Sequence, residues 1–115
     1  MSIASNAELV RRAKSQCLCR DVNENVEEMN KGFSDIYVSH FVCECSNETC
    51  LEPLDLTHRQ YEKLRSVPTH FAIAKGHDLP MGEIISEEND RYTVVEKIGV
   101  AGEAAIRLDP RARRL

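Results

Sequence analysis

The sequence predicts an α+β domain: a long N-terminal helix, then a small, mostly antiparallel sheet with one packed helix. Three observations carry this expectation. Up to Glu52 there is no proline, and apolar residues step by three or four; from Ser34 onward, short runs rich in β-branched and aromatic residues alternate with turn signals; and Cys43, Cys45 and Cys50 fall within eight positions directly after the first such run. The chain of 115 residues holds one domain's worth of core.

The first helix is expected from about Ala4, on the spacing of Val10, Ala13, Cys17, Leu18, Val22, Val26, Met29 and Phe33, with a break near Arg20-Asp21 as the alternative to one continuous rod. Asn30-Lys31-Gly32 supplies the stop, with Gly32 as the C-terminal cap. The stripe is thin, and the face opposite it carries Glu24, Glu27 and Glu28. Such a helix buries its stripe against its own domain, the simpler arrangement, or against a second copy of the chain.

Ile36 to Val42 reads as a strand entering the cysteine cluster. Thr57 and Gln60 form a T-x-x-Q capping box that opens a second helix, buried through Tyr61, Leu64 and Val67 and ended by Pro68. His70 to Ala74 is a short strand followed by a Gly76-His77 turn, and Gly82–Glu87 with Tyr92–Lys97 forms a hairpin. Gly99 to Leu108 is Ala-rich and helical. The expected organisation is an N-terminal helical segment at 1–33, an α+β domain at 34–108 and a basic tail at 109–115 carrying Arg111, Arg113 and Arg114, read as a solvated terminus.

Composition excludes several classes. Hydrophobic content of 42% and charged content of 30% are those of a folded globular chain. No apolar run is long enough to span a membrane, and MSIASNAELVRRAKSQ lacks the apolar stretch of a secretory signal, so a cytoplasmic protein is expected. With a net charge of −4, general phosphate binding is disfavoured. Five cysteines in a reducing compartment are better suited to metal ligation or burial than to a disulfide framework.

The spacing C-x-C-x4-C, with its polar Ser-Asn-Glu-Thr insert, lets the chain fold back so that three thiolates reach one ion, and this is the basis for a zinc knuckle. Three thiolates leave a fourth position, for which the candidates are Cys17, Cys19, His40, His58, His70 and His77. Cys17 and Cys19 are two apart on a helix and point in nearly opposite directions, so one buried and one exposed thiol is expected there. His77, in a turn after Gly76 and before Asp78, is the favoured ligand, with Asp78 placed to orient its ring. The expected metal set is Cys43, Cys45, Cys50 and His77, holding Zn2+.

The stretch from Phe41 to Ile98 resembles a group of small, uncharacterised bacterial proteins, frequent in actinobacteria. It shares their F-x-C-E-C, C-x-E, L-T, Y-E-x-[VL]-R, P-T-x-F, G-H and R-Y-x-V-V-E-K motifs, and Asn23–Asn30 matches their N-E-x-[VI]-x-E-x-N helix. The resemblance implies a recurring unit in which Cys43, Cys45, Cys50 and Gly76-His77 occur together, and it brings no activity with it. Ser46-Asn47 stands where the group has Gly-Asp, and Cys17-Leu18-Cys19 lies outside the shared pattern.

No catalytic constellation is present: there is no G-x-S-x-G, phosphate loop or dinucleotide fingerprint. The expected function is a zinc-stabilised interaction or regulatory module, without catalysis, that binds a protein partner or itself through the N-terminal helix. The first alternative is a nucleic-acid-associated zinc protein using His58, Arg59, Lys63 and Arg65, though Glu62 interrupts that surface and no aromatics interleave it. Further alternatives are a zinc-linked thiol redox switch, or a zinc hydrolase with Glu44 as base.

Overall fold

The computed structural model describes residues 5–30, 32, 37–47, 49–79 and 81–112. It is an α+β structure of three helices and two antiparallel sheets: α1 (Asn6–Met29), β1 (Val38–Val42), β2 (Pro53–Thr57), α2 (His58–Arg65), β3 (His70–Ile73), β4 (Glu83–Glu88), β5 (Thr93–Lys97) and α3 (Gly99–Arg107). β1 and β2 form a two-stranded sheet, and the second sheet has the order β3-β5-β4. Phe33 and Ile36, assigned above to the first stripe and first strand, lie outside the described residues, as do Arg113 and Arg114.

α1 is one continuous rod with no break at Arg20-Asp21. Ser5 caps it by accepting a hydrogen bond from the Glu8 N–H. It stops at Met29 with Asn30 as C-cap, and Gly32 lies two residues beyond at φ +91°. Its docked face differs from the expected one. Of the expected stripe, Ala13 and Cys17 are buried and Val26 packs on the core, but Leu18, Val22 and Met29 are exposed, and Gln16, Arg20, Asn23, Glu24 and Glu27 are buried beside the first two. The apolar stripe is therefore docked only in part, and Glu24 and Glu27 do not lie on a solvated face. The reason is that distant partners satisfy the polar side chains: Gln16 Nε2 donates to the Glu44 carbonyl at 3.0 Å, Asn23 pairs with both polar groups of the Val42 backbone, and Arg20 and Glu24 meet opposite charges.

β2 is an element the sequence reading passed over. Pro53 opens it, and Leu54 and Leu56 alternate inward between exposed neighbours. Its pairing with β1 sets Phe41 opposite Leu54, and Phe41 stacks on Tyr61 of α2 with ring centroids 4.5 Å apart. The α2 capping box is present as expected, Thr57 Oγ1 accepting from the Gln60 N–H and Gln60 Oε1 from the Thr57 N–H. Tyr61 and Leu64 are buried with Phe41, Leu54, Leu56, Phe71, Ile73 and Val95 in the main core.

α3 brings Ala101, Gly102, Ala104 and Ala105 into the interior and packs on α1. Gly102 is required there, because a Cβ would stand 2.7 Å from the Lys97 carbonyl oxygen. After α3 the chain does not fray at Arg111, contrary to the solvated tail expected. The Arg111 guanidinium binds both oxygens of Glu24 (2.6 and 3.1 Å) and both of Glu62 (3.1 and 2.6 Å), tying the C-terminal segment to α1 and α2. Among the described residues no helix is long and apolar enough to cross a membrane.

Candidate metal centre

Cys43, Glu44 and Cys45 follow directly on β1, and the alternation of that strand carries over to their side chains. Both thiols fall on one side and the Glu44 carboxylate on the other, where Arg20, Asn23 and the Ala72 N–H hold it. Two backbone bonds fix the segment: Cys43 N–H to the Glu52 carbonyl at 2.9 Å, and Glu44 N–H to the Ala72 carbonyl at 2.8 Å. The chain then reverses at Asn47, whose Oδ1 accepts from the Thr49 N–H and hydroxyl and whose carbonyl accepts from the Cys50 N–H, returning the third thiol to the first two. His77 arrives from β3. The turn that presents it passes through Gly76 at φ +84°, a left-handed conformation suited to glycine, and closes with the His77 N–H on the Ala74 carbonyl.

The four donor atoms of Cys43, Cys45, Cys50 and His77 lie within 4.8 Å of one another. His77 Nδ1 stands 3.6 Å from the Sγ of Cys43 and 3.6 Å from that of Cys50. A tetrahedral ion bound at about 2.3 Å from sulfur and about 2.0 Å from nitrogen places such atoms about 3.5 Å apart. The observed spacing therefore fits one ion between them. All five cysteines are free thiols, and no disulfide competes for these sulfurs.

Burial pushes the Cys43 and Cys45 thiols up, against backbone N–H groups of Ala74 and Asn47 that pull them down. The Ala74 N–H lies 3.1 Å from Cys43 Sγ. A metal held by this cluster would displace protons, and the two N–H donors would stabilise the thiolates they face. Glu52 Oε2 lies 3.8 Å from His77 Nε2, on the side of the ring away from the sulfurs. The carboxylate found beside the imidazole is thus Glu52, two residues after Cys50.

The other candidate ligands stand outside this cluster, the histidines beside carboxylates of their own. His40 pairs with Asp55 at 2.7 Å, His58 lies 2.9 Å from Glu27, and His70 lies 3.3 Å from Glu96. Cys17 is buried and Cys19 half-buried on α1; burial raises both thiols, that of Cys19 to about 11, so neither is an activated nucleophile. Glu44 does not serve as a base at the cluster, because its side chain is fully buried on the side of α1 with both oxygens engaged. The basic surface drawn above on α2 is also interrupted: Arg65 is buried against Glu24 and Asp109.

No protein-family model matches the chain, and neither a curated protein nor a solved structure matches it. What the fold and the site define is a small α+β protein with a Cys3His donor set able to hold a metal ion.

Proposed function

We propose that the protein is a zinc-stapled interaction module that works by binding, without catalysis, in the cytoplasm. The observation that carries the reading is the 3.6 Å spacing of His77 Nδ1 from two cysteine sulfurs within a four-donor cluster. Three thiolates and an imidazole suit Zn2+, and four protein donors complete a tetrahedral shell with no position left for substrate water. Bound there, zinc supplies cross-linking rather than Lewis-acid chemistry. It joins the end of β1 and the approach to β2, through the three cysteines, to the turn after β3, and so fastens one sheet to the other.

The binding surface in this reading is the outer face of α1, where Leu18 and Val22 stand one turn apart at 66% and 49% exposure. A protein partner or a second copy of the chain covers that face. The test combines metal analysis with sedimentation. Protein purified without added metal should carry one zinc per chain, lost in Cys43→Ser and weakened in His77→Ala. Leu18→Glu/Val22→Glu should keep the zinc and the fold while abolishing association. Folded protein free of metal would sink the zinc reading, and association unchanged by the α1 substitutions would sink the choice of surface.

A further inference from the structure

A second group of donor atoms forms where α1 meets α2, and the zinc staple makes no use of it. Glu27 comes from α1, and His58 and Glu62 from successive turns of α2; their donor atoms lie within 4.8 Å of one another. The Glu27 side chain is only 4% exposed, yet neither of its oxygens has a hydrogen-bond partner among the described residues, and the same is true of His58 Nδ1. Nδ1 and Glu27 Oε2 are 2.9 Å apart but not aligned as donor and acceptor. These three residues line a cavity of about 500 Å3 together with Glu24, Glu28 and Arg111.

An ionised carboxylate buried without a donor is a costly arrangement that folds avoid unless a proton or a cation compensates it. With no ion bound that compensation is a proton, since burial and the neighbouring Glu62 push the Glu27 carboxyl up to about 7. Arg111 does not supply it, because its guanidinium is engaged by the four oxygens of Glu24 and Glu62. Four carboxylates thus border the cavity against one guanidinium. The 2.9 Å approach of Nδ1 to Oε2 has a further meaning. Two donors about 2.1 Å from one ion and at right angles to each other stand about 3.0 Å apart. A carboxylate keeps spare lone pairs after accepting from an arginine, so Glu62 remains a donor while it holds Arg111.

We propose that Glu27, His58 and Glu62 form a second metal site, completed by water, for a divalent transition-metal ion of the manganese, iron or zinc class. One imidazole with two carboxylates selects this class over calcium, which takes oxygen ligands alone. An ion held there clasps α1 to the start of α2.

The test uses the whole protein carrying one equivalent of zinc and titrates it with Mn2+, following free ion by its paramagnetic signal. One Mn2+ should bind per chain and broaden the imidazole resonances of His58 while leaving those of His77 sharp. Glu27→Gln and His58→Gln should each weaken binding at least about tenfold, since even partners behind the ligands are worth about 10- to 100-fold. Cys50→Ser should leave Mn2+ binding intact, which separates this site from the zinc staple. No uptake at about 1 mM ion, binding unchanged in Glu27→Gln and His58→Gln, or broadening at His77 instead of His58 overturns the proposal. The broadening is read on the unaltered chain, so it decides the matter even where a substitution unfolds it.

Discussion

Arg20 of α1 and Glu44, the residue between the first two cysteines, form an ion pair at 3.1 Å with side chains 1% and 0% exposed. Glu44 also accepts from Asn23 and from the Ala72 N–H, while the Arg20 guanidinium donates to the Pro68 and His70 carbonyls and lies 3.7 Å over the Phe71 ring. This pair couples the long helix to the metal cluster, because the alternation that sends Glu44 toward α1 sends both flanking thiols the other way. Removing one partner leaves a buried charge and costs about 3 to 5 kcal/mol. Arg20→Met and Glu44→Gln should each lower unfolding free energy by that amount in urea titrations, and the double variant should lose clearly less than the sum. Additive losses would show that the two residues act independently.

Metal removal should loosen the junction of the two sheets before it unfolds the core. Phe41, Leu56, Tyr61 and Phe71 share one core with Cys43 and Cys45, but most of that core's members are not metal donors. Chelation is therefore expected to lower the melting temperature by at least about 10 °C, given about 4 to 8 °C per kcal/mol for a domain near this size. Amide exchange should quicken first at Ala74 and His77, whose N–H groups belong to the cluster and its turn. Exchange that quickens evenly along the chain would contradict a local staple.

Local signals in the sequence were legible where a short stretch determines its own structure. The spacing of Cys43, Cys45 and Cys50, the Gly76-His77 turn and the Thr57-Gln60 box each act within a few residues, and each stands where it was expected. The docked face of α1 was legible only at Ala13 and Cys17, because its polar residues find partners far along the chain: Asn23 pairs 21 residues on with Glu44, Arg111 reaches 87 residues back to Glu24. Periodicity counts hydrophobicity and therefore chose Leu18, Val22 and Met29, which the fold leaves outside. β2 carried the period-two signal of Leu54 and Leu56, but Pro53 and the brevity of the strand obscured it.

The capping box at the start of α2 gives a prediction of modest size. Thr57→Ala removes the acceptor for the Gln60 N–H and should cost about 1 kcal/mol, and Thr57→Ser should restore most of it. Thr57 also ends β2 and pairs with Val38, so a loss several-fold larger would mean that the strand pairing, not the cap, sets the cost.

Acid should weaken the protein through the arginine clasp that joins α1, α2 and the C-terminal segment. Burial pushes the Glu24 carboxyl up, but hydrogen bonds and charge from Arg111 and Arg65 outweigh it and hold the group below its ordinary value of 4.5. Asp109 behaves likewise: burial raises it, and Arg65 together with the Arg111 N–H lowers it below 3.8. A folded-state value depressed below the unfolded one contributes stability that is present above the unfolded value and is lost as pH falls through the folded one. The contribution should therefore be complete at neutral pH and begin to fall below about pH 4.5. It should go last at Glu62, where burial raises the carboxyl but the Arg111 guanidinium and its neighbours hold it at about 2. Arg111→Gln should lower the melting temperature at pH 7, where Glu24 loses its partner, and the gap between variant and parent should narrow steadily toward pH 3. A gap of constant size across that range would mean that Arg111 acts through packing alone and that the clasp carries no titratable stability.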